Sequence, residues 1–132
     1  MSQKSKNANQ SGTERLNLMD RSKATSALKI KVRGQLYFIP LNDIIYLEKN
    51  LRKIIVHTRK GDISFYGRFC DIMPFLDGRF VCCHKSFVLN MAEICLLSRD
   101  EILMSNGGCI KFGKHCYDRL VHHYKKWESE TL

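Results

Sequence analysis

Three short basic segments carry most of the chemistry available to this chain: Asn50 with Arg52-Lys53, then His84-Lys85-Ser86, then Lys114-His115 with Arg119 a turn later. Arginine and lysine can bond guanine edges or neutralise phosphate, serine hydroxyls and backbone N–H groups bind phosphate, and a helix N-terminus attracts anions. The central segment is the most informative. It interrupts two strand-like runs, Phe80-Val81-Cys82-Cys83 and Phe87-Val88-Leu89, so its polar residues fall where the backbone changes course. A loop held on a rigid sheet is a favoured place for recognition. Taken singly, each segment also reads as ordinary solvated charge.

Other chemistries are weaker. The five histidines, at 57, 84, 115, 122 and 123, show no recognised metal spacing, and no cofactor motif accompanies them. His57 lies in a strand, His123 falls near the apolar face of the last helix as a packed residue, and His122 points the other way. His84, His115 and Lys85 could together cleave RNA, since two histidines and a lysine can exchange protons and stabilise a phosphorane. Gly108 to Lys114 comes within one residue of a phosphate-binding loop, with His115 where a Ser or Thr should hold magnesium. Its intervening residues read as a strand, however, and the chain after it is too short for the parallel sheet such a loop requires.

Six cysteines are present without an export signal or a Cys-x-x-Cys pair, so reduced thiols in a cytoplasmic protein are expected, with no structural metal. Cys83 is the exception to inert packing. If strand alternation buries Cys82, Cys83 faces out beside His84 and Lys85, where positive charge favours a redox-active thiolate.

The formal net charge is +9 over 132 residues, of which +3 belongs to residues 1–26 and +6 to the remainder. Such a balance suits nucleic acid, an anionic surface or an acidic protein. No apolar run approaches the roughly 18 residues of a membrane helix, so no membrane insertion is expected. Residues 1–26 are polar and poor in aliphatics, a flexible tail in which Thr13 could cap a short helical turn. One folded unit then spans residues 27–132.

The texture of that unit is β-rich. Leu28, Ile30 and Val32 alternate with Lys29 and Lys31, Gly34-Gln35 turns the chain into Leu36 to Ile39, and Pro40 stops it. Ile44 to Leu47 and Ile54 to His57 predict a hairpin tipped by Asn50, Leu51 and Arg52, and Lys60-Gly61-Asp62 leads to a further strand at Ile63 to Tyr66. Phe69, Ile72, Met73 and Leu76 mark a short helix limited by Pro74. Strands follow at Phe80, Phe87, Ile94, Ile102 and Cys109, and a final helix over residues 114–128 aligns Cys116, Leu120, Tyr124 and Trp127. Asn90 is placed to cap a turn at Met91-Ala92-Glu93, and Phe87 to pack inward.

Tyr37-Phe38-Ile39-Pro40 with Asp43-Ile44-Ile45-Tyr46-Leu47-Glu48, then Phe80 to Asn90, then Asn106-Gly107-Gly108 with Gly113-Lys114-His115, occur in an order and spacing that resemble the LytTR DNA-binding domain of bacterial transcription regulators. The central block resembles the family's Phe, Arg/Cys, His, Arg/Lys/Asn, Ser, Tyr/Phe, aliphatic, Asn signature, and the likeness runs from about Leu28 to Trp127. It implies a mainly β fold with short helices: an elongated antiparallel β-β-β sandwich of about ten strands with a C-terminal helix. It also implies loops inserted into successive major grooves of double-stranded DNA, with two copies on direct repeats. Asn50, Arg52, Lys53, His84, Lys85, Ser86, Lys114 and His115 match the DNA-facing segments. Gly113 stands where members often have Ser, and Arg119 or His122 substitutes for a base-reading Arg near Val121.

Members usually carry a receiver domain, whereas here only the tail precedes the fold. The expectation is a stand-alone regulator controlled by abundance or by a protein partner, such as a membrane-bound inhibitor, or else a fragment of something longer. No catalytic activity is expected. The rival readings are an RNA-binding or RNA-cleaving protein using His84 and His115, and a basic protein-interaction module.

Overall fold

The computed structural model describes residues 26–131, so the expectations for the tail, including the turn capped by Thr13, lie outside it. Among the described residues, ten strands form three antiparallel sheets. A hairpin of β1 (Ala27–Val32) and β2 (Gln35–Pro40) makes the first. The second contains β3 (Ile44–Asn50), β4 (Lys53–Thr58), β5 (Gly61–Tyr66), β6 (Phe80–His84) and β7 (Phe87–Asn90), in the order β5-β4-β3-β7-β6. The third is the meander β8 (Ile94–Leu97), β9 (Glu101–Met104) and β10 (Cys109–Lys111). Helix α1 (Phe69–Ile72) runs into a 3-10 turn at Met73–Phe75, and α2 (Lys114–Thr131) closes the chain.

The layering follows from the central sheet, which is apolar on both faces. Leu47, Ile54, Val56 and Val88 meet Leu28, Ile30 and Ile39 of the first hairpin and Ile72 of α1. On the opposite face Ile45, Tyr46, Val81 and Leu89 meet Ile102, Met104 and Ile110 of the third sheet and Leu120 of α2. Each fully buried Leu or Ile contributes about 1.5–3 kcal/mol, so neither face can be left to water. A register shift between Ile44 and Tyr46 makes the two cores compatible with one strand. It lets Ile45 and Tyr46 enter one core while Ile44 and Leu47 enter the other, the effect of one extra residue in a bulge.

Asn90 joins the layers at the far end of β7. Only 1% exposed, it donates from Nδ2 to the Ile44 carbonyl at 2.8 Å and accepts at Oδ1 from the Ala92 N–H at 2.9 Å, capping the turn as expected. Phe87 is half-buried against Tyr46 and His84, also as expected.

Three expectations are reversed, the first being that most cysteines pack as small core residues: Cys70, Cys82, Cys95 and Cys109 are exposed, because each falls on the uncovered side of its element. Cys82 faces solvent and Cys83 is buried, because α2 and the third sheet cover the face that Val81 shares with Cys83. Burial pushes the Cys83 thiol up to about 12, with the neighbouring Cys116 and Cys82 adding to it. Desolvation therefore defeats the positive charge that was expected to make Cys83 a thiolate. His123 is exposed instead of packed: the buried stripe of α2 narrows to Leu120, flanked by half-buried Cys116, Tyr124 and Trp127.

Candidate nucleic-acid interface

Asn50 pairs with Lys53 across the β3–β4 hairpin, leaving Leu51 and Arg52 as a two-residue tip. Leu51 has φ 60° and is 89% exposed, so an apolar side chain is held outward by a backbone conformation that disfavours it. The Arg52 carbonyl accepts from Gly67 N–H at 3.1 Å, which ties the tip to the end of β5. Beside it, the Lys53 ammonium lies 5.5 Å from the centre of the exposed Tyr66 ring.

The β6–β7 turn stands at the same end of the sheet. His84 pairs with Phe87, leaving Lys85 and Ser86 at the tip. The Lys49 N–H donates to the Ser86 carbonyl at 2.7 Å, so the two tips are fastened together through β3. Ser86 N–H donates to His84 Nδ1 at 3.0 Å, and the His84 ring leans on Phe87 at 5.8 Å. His84 thus shapes the turn, as a short internal acceptor that fixes the backbone of Ser86. With that N–H and carbonyl both engaged, the hydroxyl is the Ser86 group left for an anion.

Helix α2 brings in the third segment. Cys116 lies close enough to Cys83 to raise its thiol, while Trp127 and Glu130 line a cavity with Asp77 and Arg79 before β6. The helix therefore runs antiparallel to β6, and its first turn, with Lys114 and exposed His115, opens beside the β6–β7 turn. The Phe112 N–H donates to the Asp100 carbonyl at 3.1 Å, placing the β8–β9 turn at this end too, where the Arg99 guanidinium lies 6.0 Å from the centre of the Tyr117 ring. Arg119 is exposed on α2 near Cys82 and Cys83, where its charge draws both thiols downward against the stronger effect of burial.

All three sequence-predicted segments are thus brought to one end of the molecule. Among the described residues, Arg52, Lys53, Lys85 and Arg119 have no carboxylate partner. Cations at the other end are paired: Arg59 with Glu93, Lys60 with Asp43, and Arg79 with Asp77. His57, the strand histidine, is held away from the tips, with Nε2 2.7 Å from Glu48, Nδ1 3.1 Å from Asp62 and its ring stacked on Tyr46. No group of His, Cys, Asp and Glu among the described residues could hold a metal ion. None of their helices is long and apolar enough to cross a membrane.

The sequence places Leu51 beside Arg52 at the hairpin tip, but it does not show that Tyr66 and Arg68 line the same clefts. Tyr66 and Arg68 reach the site only through the pairing of β5 with β4, which no local pattern reports.

Residues 34–125 match the family described as the LytTr DNA-binding domain. Accessory gene regulator A of Staphylococcus aureus strain Mu50 is 27% identical over 114 residues, covering 85% of this chain and 46% of that protein. Accessory gene regulator protein A of Staphylococcus epidermidis is 27% identical over 105 residues, covering 78% of this chain and 42% of its own length. The chain thus spans less than half of these relatives. Among solved structures, the LytTr DNA-binding domain of a protein described as a methyl-accepting/DNA response regulator from Bacillus cereus superposes with a TM-score of 0.61 at 19% identity, covering 74% of this chain and 94% of that one, a likeness of fold.

Proposed function

The chain belongs to the LytTr DNA-binding domain family, and from that premise we propose that it is a sequence-specific regulator of transcription that binds double-stranded DNA through the loop end of its sheets. The observation that carries this reading is that, among the described residues, Arg52, Lys53 and Lys85 converge from separate strand turns on one end without carboxylate partners, with only Arg68 of the tip clefts paired, to Asp71, while Arg59, Lys60 and Arg79 at the other end face carboxylates. The β3–β4 tip, the β6–β7 turn and the start of α2 enter successive major grooves. Arg52 and Lys85 read base edges, Asn50 and Lys53 support the first tip, and Ser86, Lys114 and His115 hold phosphate. Arg119 extends the third contact along α2. Two copies occupy direct repeats, and a regulatory protein partner controls access to them.

Cleavage of RNA by His84 and His115 finds less support, since His84 Nδ1 is occupied by the Ser86 N–H. Selection of bound sites from random duplex DNA tests specificity and repeat spacing together. On the selected site, Arg52→Ala and Lys85→Ala should each cost about 1–3 kcal/mol and relax base preference, whereas Lys114→Ala should weaken all sequences alike. Unchanged affinity in a salt-controlled gel-shift series would sink the assignment of these residues.

A further inference from the structure

The first hairpin contributes a cationic cleft that the three segments above do not include. Its turn residues, Arg33 and Gly34, have φ 52° and 80° between the paired Val32 and Gln35, the signs of a type I′ turn. Such turns favour Asn-Gly, so the arginine stands where its own backbone preference is poor. A strained residue on an exposed tip invites a functional explanation. The tip leans toward β5 and encloses with it a cavity of about 520 Å³, lined by Lys31, Arg33, Lys53, Gln35, Ser64 and Tyr66 among others. Among the described residues its three cations have no carboxylate partner. Its neutral lining adds the Ser64 hydroxyl and the Gln35 amide, whose Oε1 accepts from Tyr37 at 3.0 Å so that the amide nitrogen is left as a donor. Cations, a hydroxyl and an amide donor are the groups that bind a phosphodiester.

We propose that this cleft is a seat for the DNA backbone, holding a phosphodiester beside the groove that the β3–β4 tip enters. Lys53 is shared between this cleft and one of the clefts beside that tip, so the two contacts are continuous. The inference rests on the DNA-binding reading and adds to it a fourth segment, one that positions the duplex without reading sequence.

The probe is a labelled random-sequence duplex titrated at several potassium chloride concentrations. The double variant Lys31→Gln/Arg33→Asn removes both charges, and asparagine suits the positive φ at residue 33, so the turn is kept. It should bind roughly tenfold more weakly at low salt, and the slope of log affinity against log salt should fall by about two, close to one for each lost phosphate contact. The exchange Lys31→Arg/Arg33→Lys should retain the wild-type slope. Wild-type protein that binds duplex while the double variant matches its slope and affinity overturns the cleft and leaves the DNA reading standing. Wild-type protein that binds no duplex overturns both.

Discussion

At the scale of single residues, the difference between Cys82 and Cys83 shows how little local charge decides once burial intervenes. Both thiols are raised chiefly by desolvation, but Cys83 is fully enclosed by the core beneath α2 while Cys82 is open to solvent. A buried thiol must stay neutral, so folding holds its proton more tightly than the unfolded chain does. With the folded value near 12 and the ordinary value at 9.0, the folded state binds the extra proton between those limits. Stability from this group is therefore complete below pH 9 and is lost as pH rises toward 12. Urea unfolding measured across that window should show wild-type protein losing stability faster than Cys83→Ala. Parallel curves would mean that Cys83 titrates as it does in the unfolded chain. Mass-mapped alkylation of native protein should label Cys82 well before Cys83.

At the scale of elements, the strand alternation and turn residues made all ten strands legible, and Asn90 could be assigned its cap because an Asn before a short turn has few other uses. What was not legible was which face of a strand would be covered. Phe80 and Cys82 share one face of β6 and Val81 and Cys83 the other, and only the packing of α2 on the second face distinguishes them. The candidate site divides in the same way. Basic turns announce themselves locally, whereas Tyr66, Arg68 and the Arg33 cleft depend on pairings and approaches between distant segments. Asn90 is the element-scale test, because its second bond crosses from β7 to the start of β3. Removing the amide in Asn90→Ala strands the Ile44 carbonyl, whose bond is buried, at a cost of about 1–3 kcal/mol, whereas the N–H of exposed Ala92 can turn to water, so a loss of about 2 kcal/mol is expected in chemical denaturation. A loss under 1 kcal/mol would show that water or a rearranged turn also satisfies the Ile44 carbonyl.

At the scale of the whole molecule, charge is sorted along the long direction of the sheets. Strand turns at one end carry Arg52, Lys53, Lys85 and Arg99 without carboxylate partners among the described residues, beside Arg68 paired with Asp71, while the opposite end pairs Arg59 with Glu93 and Lys60 with Asp43. A paired cation contributes little field beyond its neighbour, whereas unpaired cations on one end sum to a potential that orients an approaching polyanion. If that sorting, and not the total of +9, governs DNA binding, two variants with the same change in net charge should behave differently. Arg52→Gln/Lys85→Gln and Arg59→Gln/Lys60→Gln each remove two positive charges. The first should slow association and weaken duplex binding at low salt, because its charges steer the approaching polyanion. The second should leave affinity and rate close to wild type, with its effect confined to stability through the Glu93 and Asp43 carboxylates left without their partners. Equal losses in the two variants, measured by stopped-flow fluorescence and equilibrium titration over the same salt series, would show that overall charge, not its placement at the loop end, drives the interaction.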